Sequence, residues 1–155
     1  MKVIFGHGQR PISHLIRLRT GGKQTHCGVL IDDKVIEARG IPLGEWLKHL
    51  LLDTPYTSKH GVMETPLEEF KSKYKHTEVR YIDGNANKAL ELLGKPYDMA
   101  ALIGLFFRIN YHNPFKYMCG EVVAHCMPTV EKCHEQYFTA IILYRLSRKL
   151  KRSEM

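Results

Sequence analysis

A chain of 155 residues can bury a proper core in one domain, and 44% hydrophobic against 25% charged residues excludes both a disordered and a fibrous class. Its net charge of +7 favours anionic surroundings such as cell wall, phospholipid or nucleic acid, although much of that excess lies near the C-terminus. The longest apolar run, Met99 to Phe107, is too short to span a bilayer, and the N-terminus lacks the apolar stretch of a secretory signal. The expectation is a protein with no transmembrane segment and no Sec signal, cytoplasmic by default.

In chain order, Lys2 to Phe5 reads as a short strand, and Pro11 opens a helix that Gly21-Gly22 stops. Two β-rich runs follow, His26 to Ile31 and Lys34 to Arg39, joined at Asp32-Asp33 as a two-residue hairpin. Residues 41–80 read as a loop-rich excursion, with a short helical piece near Trp46, a strand over Val62 to Thr65, a helix from Pro66 to Lys73 and a strand over Thr77 to Ile82. Asn85 to Leu93 is a short amphipathic helix closed by Gly94. Asp98 caps an apolar helix from Met99 to Phe107, and Cys119 begins a central helix that Pro128 ends or kinks. A basic helix and tail occupy 137–155, with Phe138, Ile141, Ile142 and Leu146 on its core side. No repeat or linker divides the chain, so 1–155 is one domain.

Chemistry concentrates around Cys119. A thiolate is the reactive form of cysteine, and a helix N-terminus favours it through its dipole and unpaired N–H groups. Among the nine histidines, His26 is singled out by the hairpin. If Ile31 faces Lys34, then Gly28 lies opposite Glu37 and His26 opposite Arg39, all on one face. His26 and Glu37 are then diagonal neighbours, with backbones roughly 7–8 Å apart and side chains within reach. A carboxylate beside an imidazole fixes its tautomer and stabilises the imidazolium, as a Cys–His nucleophile requires. Glu37 pairing with Arg39 instead is the competing reading. Cys27 points to the opposite face, into the core, and Cys126 is core as well.

The segments Thr25-His26-Cys27-Gly28-Val29-Leu30-Ile31, Val35-Ile36-Glu37-Ala38, Gly94-Lys95-Pro96-Tyr97-Asp98 and Tyr117-Met118-Cys119-Gly120-Glu121 resemble motifs of the NlpC/P60 superfamily of papain-like cysteine hydrolases. Histidine and glutamate precede cysteine here, as in the circularly permuted branch with YiiX-like proteins and the lecithin:retinol acyltransferase group. Pro11 to Leu18 with Thr20-Gly21 is also similar to a YiiX-like N-terminus. Gly120 departs from the serine frequent after the YiiX-like nucleophile, but no triad member is lost.

The resemblance implies an α+β papain-like fold with a small antiparallel sheet on the nucleophile helix, and a cysteine peptidase or amidase. Cys119 would be nucleophile, His26 base and Glu37 its orienting partner, with Tyr97 a candidate oxyanion or substrate contact. It implies peptide or acyl substrates, cell-wall fragments first, in a bacterial or phage setting, with no cofactor. The alternatives are a lipid acyltransferase or esterase on the same triad, and a non-catalytic basic binding module. A zinc site from Cys119, His125, Cys126, Cys133 and His134 is disfavoured, because no CxxC or HxxxH spacing occurs and Pro128 splits the group. No specific nucleic-acid partner is expected, since no recognition helix or stacking sheet accompanies the basic tail.

Overall fold

The structure, a computed structural model, describes residues 1–53, 55, 59–107, 113, 115–128 and 139–149. It is mixed α+β. The strands are β1 (Lys2–His7), β2 (His26–Ile31), β3 (Lys34–Arg39), β4 (Gly61–Pro66), β5 (His76–Tyr81) and a two-residue β6 (Arg148–Lys149). They form one antiparallel sheet in the order β4-β3-β2-β1-β5-β6. The helices are α1 (Pro11–Thr20), α2 (Leu43–Leu52), α3 (Leu67–Ser72), α4 (Met99–Phe107), α5 (Cys119–His125) and α6 (Ala140–Leu146), with a 3-10 helix over Ala86–Leu92. No helix among the described residues is long and apolar enough to cross a membrane.

Period-two alternation gives the sheet two buried faces. On one, Val3, Phe5, Cys27, Val29, Ile36 and Ala38 pack against Val122 and Val123 of α5. On the other, Ile4 and Val35 pack with Phe70 of α3. The β2–β3 hairpin has the expected register, Ile31 opposite Lys34, Leu30 opposite Val35 and Val29 opposite Ile36, where its ladder ends. Asp32 takes the left-handed conformation (φ 52°) that such a turn demands and that aspartate tolerates better than most residues.

Within 41–80 the expected helical piece near Trp46, strand, helix and strand are present as α2, β4, α3 and β5, with β4 paired to β3 and β5 to β1. Two expectations need correction. The helix expected over Asn85 to Leu93 is a 3-10 helix, with the Asn85 side chain accepting from the Asn87 N–H at 3.1 Å. The basic helix expected from Tyr137 to Leu150 stops earlier. It ends at Leu146, and Arg148–Lys149 then pair with β5. Its buried face carries Ala140, Ile141 and Leu143, while Ile142 and Leu146 are exposed, because Leu143 and Ala140 are the residues that reach the α5 core. Phe138, Cys133, His134 and Arg152 lie outside the described residues.

Gly28 is fixed by close approach. A Cβ there would stand 2.5 Å from Val35 Cγ1 and 2.9 Å from the Ile36 carbonyl oxygen. We expect Gly28→Ala to lower stability by about 1–3 kcal/mol, the usual cost of overpacking, read from urea unfolding. An unchanged midpoint would mean that β2 and β3 are not this close.

Candidate active site

The site begins with two strands that hold a carboxylate against an imidazole. His26 is the first residue of β2, paired in register with Gly6 of β1, and Glu37 lies in β3 opposite Met63. His26 Nε2 and Glu37 Oε2 are 2.7 Å apart. Gly6 makes room for this arrangement, since a Cβ there would fall 2.7 Å from the Tyr74 ring. Tyr74 and Phe70 form an aromatic bed on which the imidazole lies, with centroids 5.7 and 5.8 Å away and interplanar angles of 14° and 28°. Hydrogen bond and stacking together allow His26 one orientation. With Nε2 on Glu37, Nδ1 is the nitrogen left to face a reacting group.

Glu37 does not choose between His26 and Arg39. Its second oxygen, Oε1, accepts from Thr65 Oγ1 at 2.6 Å and Arg39 Nη2 at 3.0 Å, while Oε2 serves the histidine. Arg39 is itself held by Glu69, at 3.2 Å. The Glu37 side chain is only 2% exposed. Burial favours its neutral form, but the hydrogen bonds from His26, Thr65 and Arg39 and the imidazolium charge outweigh this and hold it well below the usual carboxylate range. Thr65 was not anticipated from the sequence. A β-strand threonine carries no signal of its own, and only the β3–β4 register sets it diagonally beside Glu37.

Cys119 opens α5, the helix on the other face of the sheet, and is partly accessible. Its approach is set by the segment before it: Tyr97 and Tyr117 bridge in parallel, with Asp98 N–H donating to the Tyr117 carbonyl at 3.2 Å. Asp98 is fully buried, and its carboxylate accepts from the Ala101 N–H at 2.9 Å, capping α4 as expected. Glu121 lies in the first turn of α5, where a carboxylate suits the helix dipole, with Oε2 accepting from the Met118 N–H at 2.6 Å.

The two layers meet at the start of β2, where the Cys119 sulfur interacts with both the Cys27 thiol and the His26 imidazole. Cys27, fully buried in the core as expected, also donates to the Cys119 carbonyl oxygen with its sulfur 3.5 Å away. The hydrogen bond from Cys27 and the adjacent imidazolium hold the Cys119 thiol well below its ordinary value, against the opposing effect of burial. Burial alone would lower His26, but the Cys119 thiolate and Glu37 raise it to about 10. Both shifts favour the thiolate–imidazolium form of the pair. Burial and the nearby Cys119 charge push the Tyr97 hydroxyl up, so it stays protonated and a donor.

Tyr97 also lines a cavity of about 420 Å³, together with Trp46, Pro96, Met99, Ile103 and Phe107 and with the polar Lys116 and His60. Among the described residues no cluster of His, Cys, Asp or Glu is arranged to hold a metal ion. Comparison with family models and with curated proteins finds no match to this chain.

The pair has a pH signature. Alkylation of Cys119 by iodoacetamide should already be fast at pH 6 and nearly flat up to about pH 10, where the imidazolium is lost. His26→Ala should slow the reaction at pH 6 by about tenfold or more, since each unit of thiol pKa changes the thiolate fraction about tenfold below it. A wild-type profile rising like that of a free thiol would refute the ion pair.

Proposed function

We propose that this chain is a cysteine hydrolase of the papain-like class, in the permuted NlpC/P60 order of histidine, glutamate and cysteine. The observation that carries the reading is the 2.7 Å His26–Glu37 hydrogen bond beside a cysteine at a helix start. In the proposed reaction the Cys119 thiolate attacks a carbonyl carbon. The backbone N–H of Cys119 and the Tyr97 hydroxyl receive the oxyanion. The His26 imidazolium gives its proton from Nδ1 to the leaving group, which departs and leaves a thioester on Cys119. His26, now neutral, takes a proton from water; the hydroxide attacks the thioester, and the thiolate and imidazolium are restored. Glu37 keeps the imidazole oriented and stabilises its charge through both steps.

The first substrate class is the amide bond of cell-wall peptides, which the sequence resemblance suggests and a net charge of +7 suits. A second reading, transfer or hydrolysis of a lipid acyl ester, is favoured by the apolar cavity beside Tyr97, which has the volume for an acyl chain.

Purified protein should release amine from peptidoglycan fragments, or fatty acid from phospholipid under the second reading, and Cys119→Ala should do neither. Glu37→Gln should reduce kcat by about 10²–10⁴ while leaving KM nearly unchanged, the range typical when a positioned base loses its orienting carboxylate. Turnover that survives Cys119→Ala would sink the proposal. Salt-sensitive binding without turnover in the wild type would replace it with the basic binding module.

A further inference from the structure

The proposed reaction leaves Cys27 unused. Cys27 is buried in β2, and its thiol reaches the first residue of α5, 3.5 Å from the Cys119 carbonyl oxygen and beside the Cys119 sulfur. We propose that Cys27 is a resolving cysteine that captures oxidised Cys119 as a reversible Cys27–Cys119 disulfide, an inference that rests on Cys119 being the activated nucleophile.

The two cysteines differ in access. Cys119 is partly exposed, whereas Cys27 has no exposed surface, so a hydroperoxide from solution meets Cys119 first. Reactivity follows the same order, because the thiolate is the species that peroxide oxidises and Cys27 is kept protonated by its hydrogen bond and burial. In the first step the Cys119 thiolate attacks one peroxide oxygen and the O–O bond breaks. Cys119 becomes a sulfenic acid, and hydroxide, or an alkoxide from an organic peroxide, leaves. In the second step the Cys27 sulfur attacks the sulfenic sulfur. The S–S bond forms, the S–O bond breaks, and the Cys27 proton leaves with the departing hydroxide as water. The adjacent His26 is placed to relay that proton. An external dithiol reverses the change by exchange.

Geometry favours this partner over the other described cysteine. Cys126 is buried about two helical turns beyond Cys119, with its sulfur committed to the Val122 carbonyl at 3.3 Å. Cys27 and Cys119 sit on elements packed directly together, α5 against β2, with the Cys27 sulfur 3.5 Å from the Cys119 carbonyl oxygen. Without a neighbouring thiol, a sulfenic acid in this site would pass to the irreversible sulfinic acid.

The test treats full-length protein with hydrogen peroxide, blocks remaining thiols, and cleaves at lysine and glutamate. This places Cys27 between Gln24 and Lys34, Cys119 between Tyr117 and Glu121, and Cys126 on a separate fragment. The expected wild-type product is a cross-link between the first two fragments, with two hydrogens lost and Cys119 alkylation restored by dithiothreitol. Cys27→Ser should give no cross-link and should lose Cys119 irreversibly about tenfold faster or more, as sulfinic acid. If wild type forms sulfinic acid at the same rate as the variant while Cys119 still alkylates rapidly, the resolving cysteine is overturned and the nucleophile stands. If Cys119 resists both peroxide and iodoacetamide, both readings fall. Should Cys27→Ser not fold, the wild-type fragment map alone decides, since a cross-link is present or absent there.

Discussion

A buried carboxylate sets the terms for this site. Removing Glu37 from water costs several kcal/mol unless its charge is matched, and the chain matches it on both oxygens at once. Oε1 takes Thr65 and Arg39, and Oε2 takes His26. Each partner comes from a different point of the sheet: β2 brings the histidine, β3 the carboxylate and its arginine, β4 the threonine. The charge network therefore ties three neighbouring strands together, and the imidazole can adopt only the pose that completes it. The competition between Arg39 and His26 for one carboxylate is resolved because a carboxylate has two faces, and the strand spacing offers one to each.

The second constraint is that the site straddles the sheet. His26 and Glu37 belong to the face covered by Phe70 and Tyr74. Cys119 begins the helix that packs on the opposite face over Cys27 and Val29. They meet only because His26 is the first residue of its strand and Cys119 the first of its helix. At such a seam the imidazole and the thiol are anchored on opposite faces of the sheet. The seam also explains why Cys27, a core residue by its alternation, touches the reactive sulfur. It is the last core side chain before the sheet ends.

Much of this was legible in the chain. The hairpin register followed from Asp32-Asp33, and period-two alternation then put His26, Gly28, Glu37 and Arg39 together. The Cys119 helix start and the Asp98 cap were local signals, and both are present. Within 41–80 the chain marks a helix, a strand, a second helix and a second strand, and all four are present; only the pairing of β4 with β3 and of β5 with β1 came from the tertiary structure. The basic helix is shorter than its periodicity predicts. Helical periodicity continued past Leu146, but pairing of Arg148–Lys149 with β5 claimed the backbone there.

By itself, then, the sequence determined what depends on neighbours a few residues apart: the turn, the alternation of faces and the helix starts. Tertiary structure alone decided what depends on residues far apart in the chain. Thr65 joined the carboxylate, Phe70 and Tyr74 became the bed of the imidazole, and Cys27 met Cys119 across 92 positions. The physical reason is that local hydrogen bonding and side-chain alternation are fixed by short-range geometry. The charge state of a buried thiol or carboxylate instead depends on everything within a few ångströms, whatever its place in the chain.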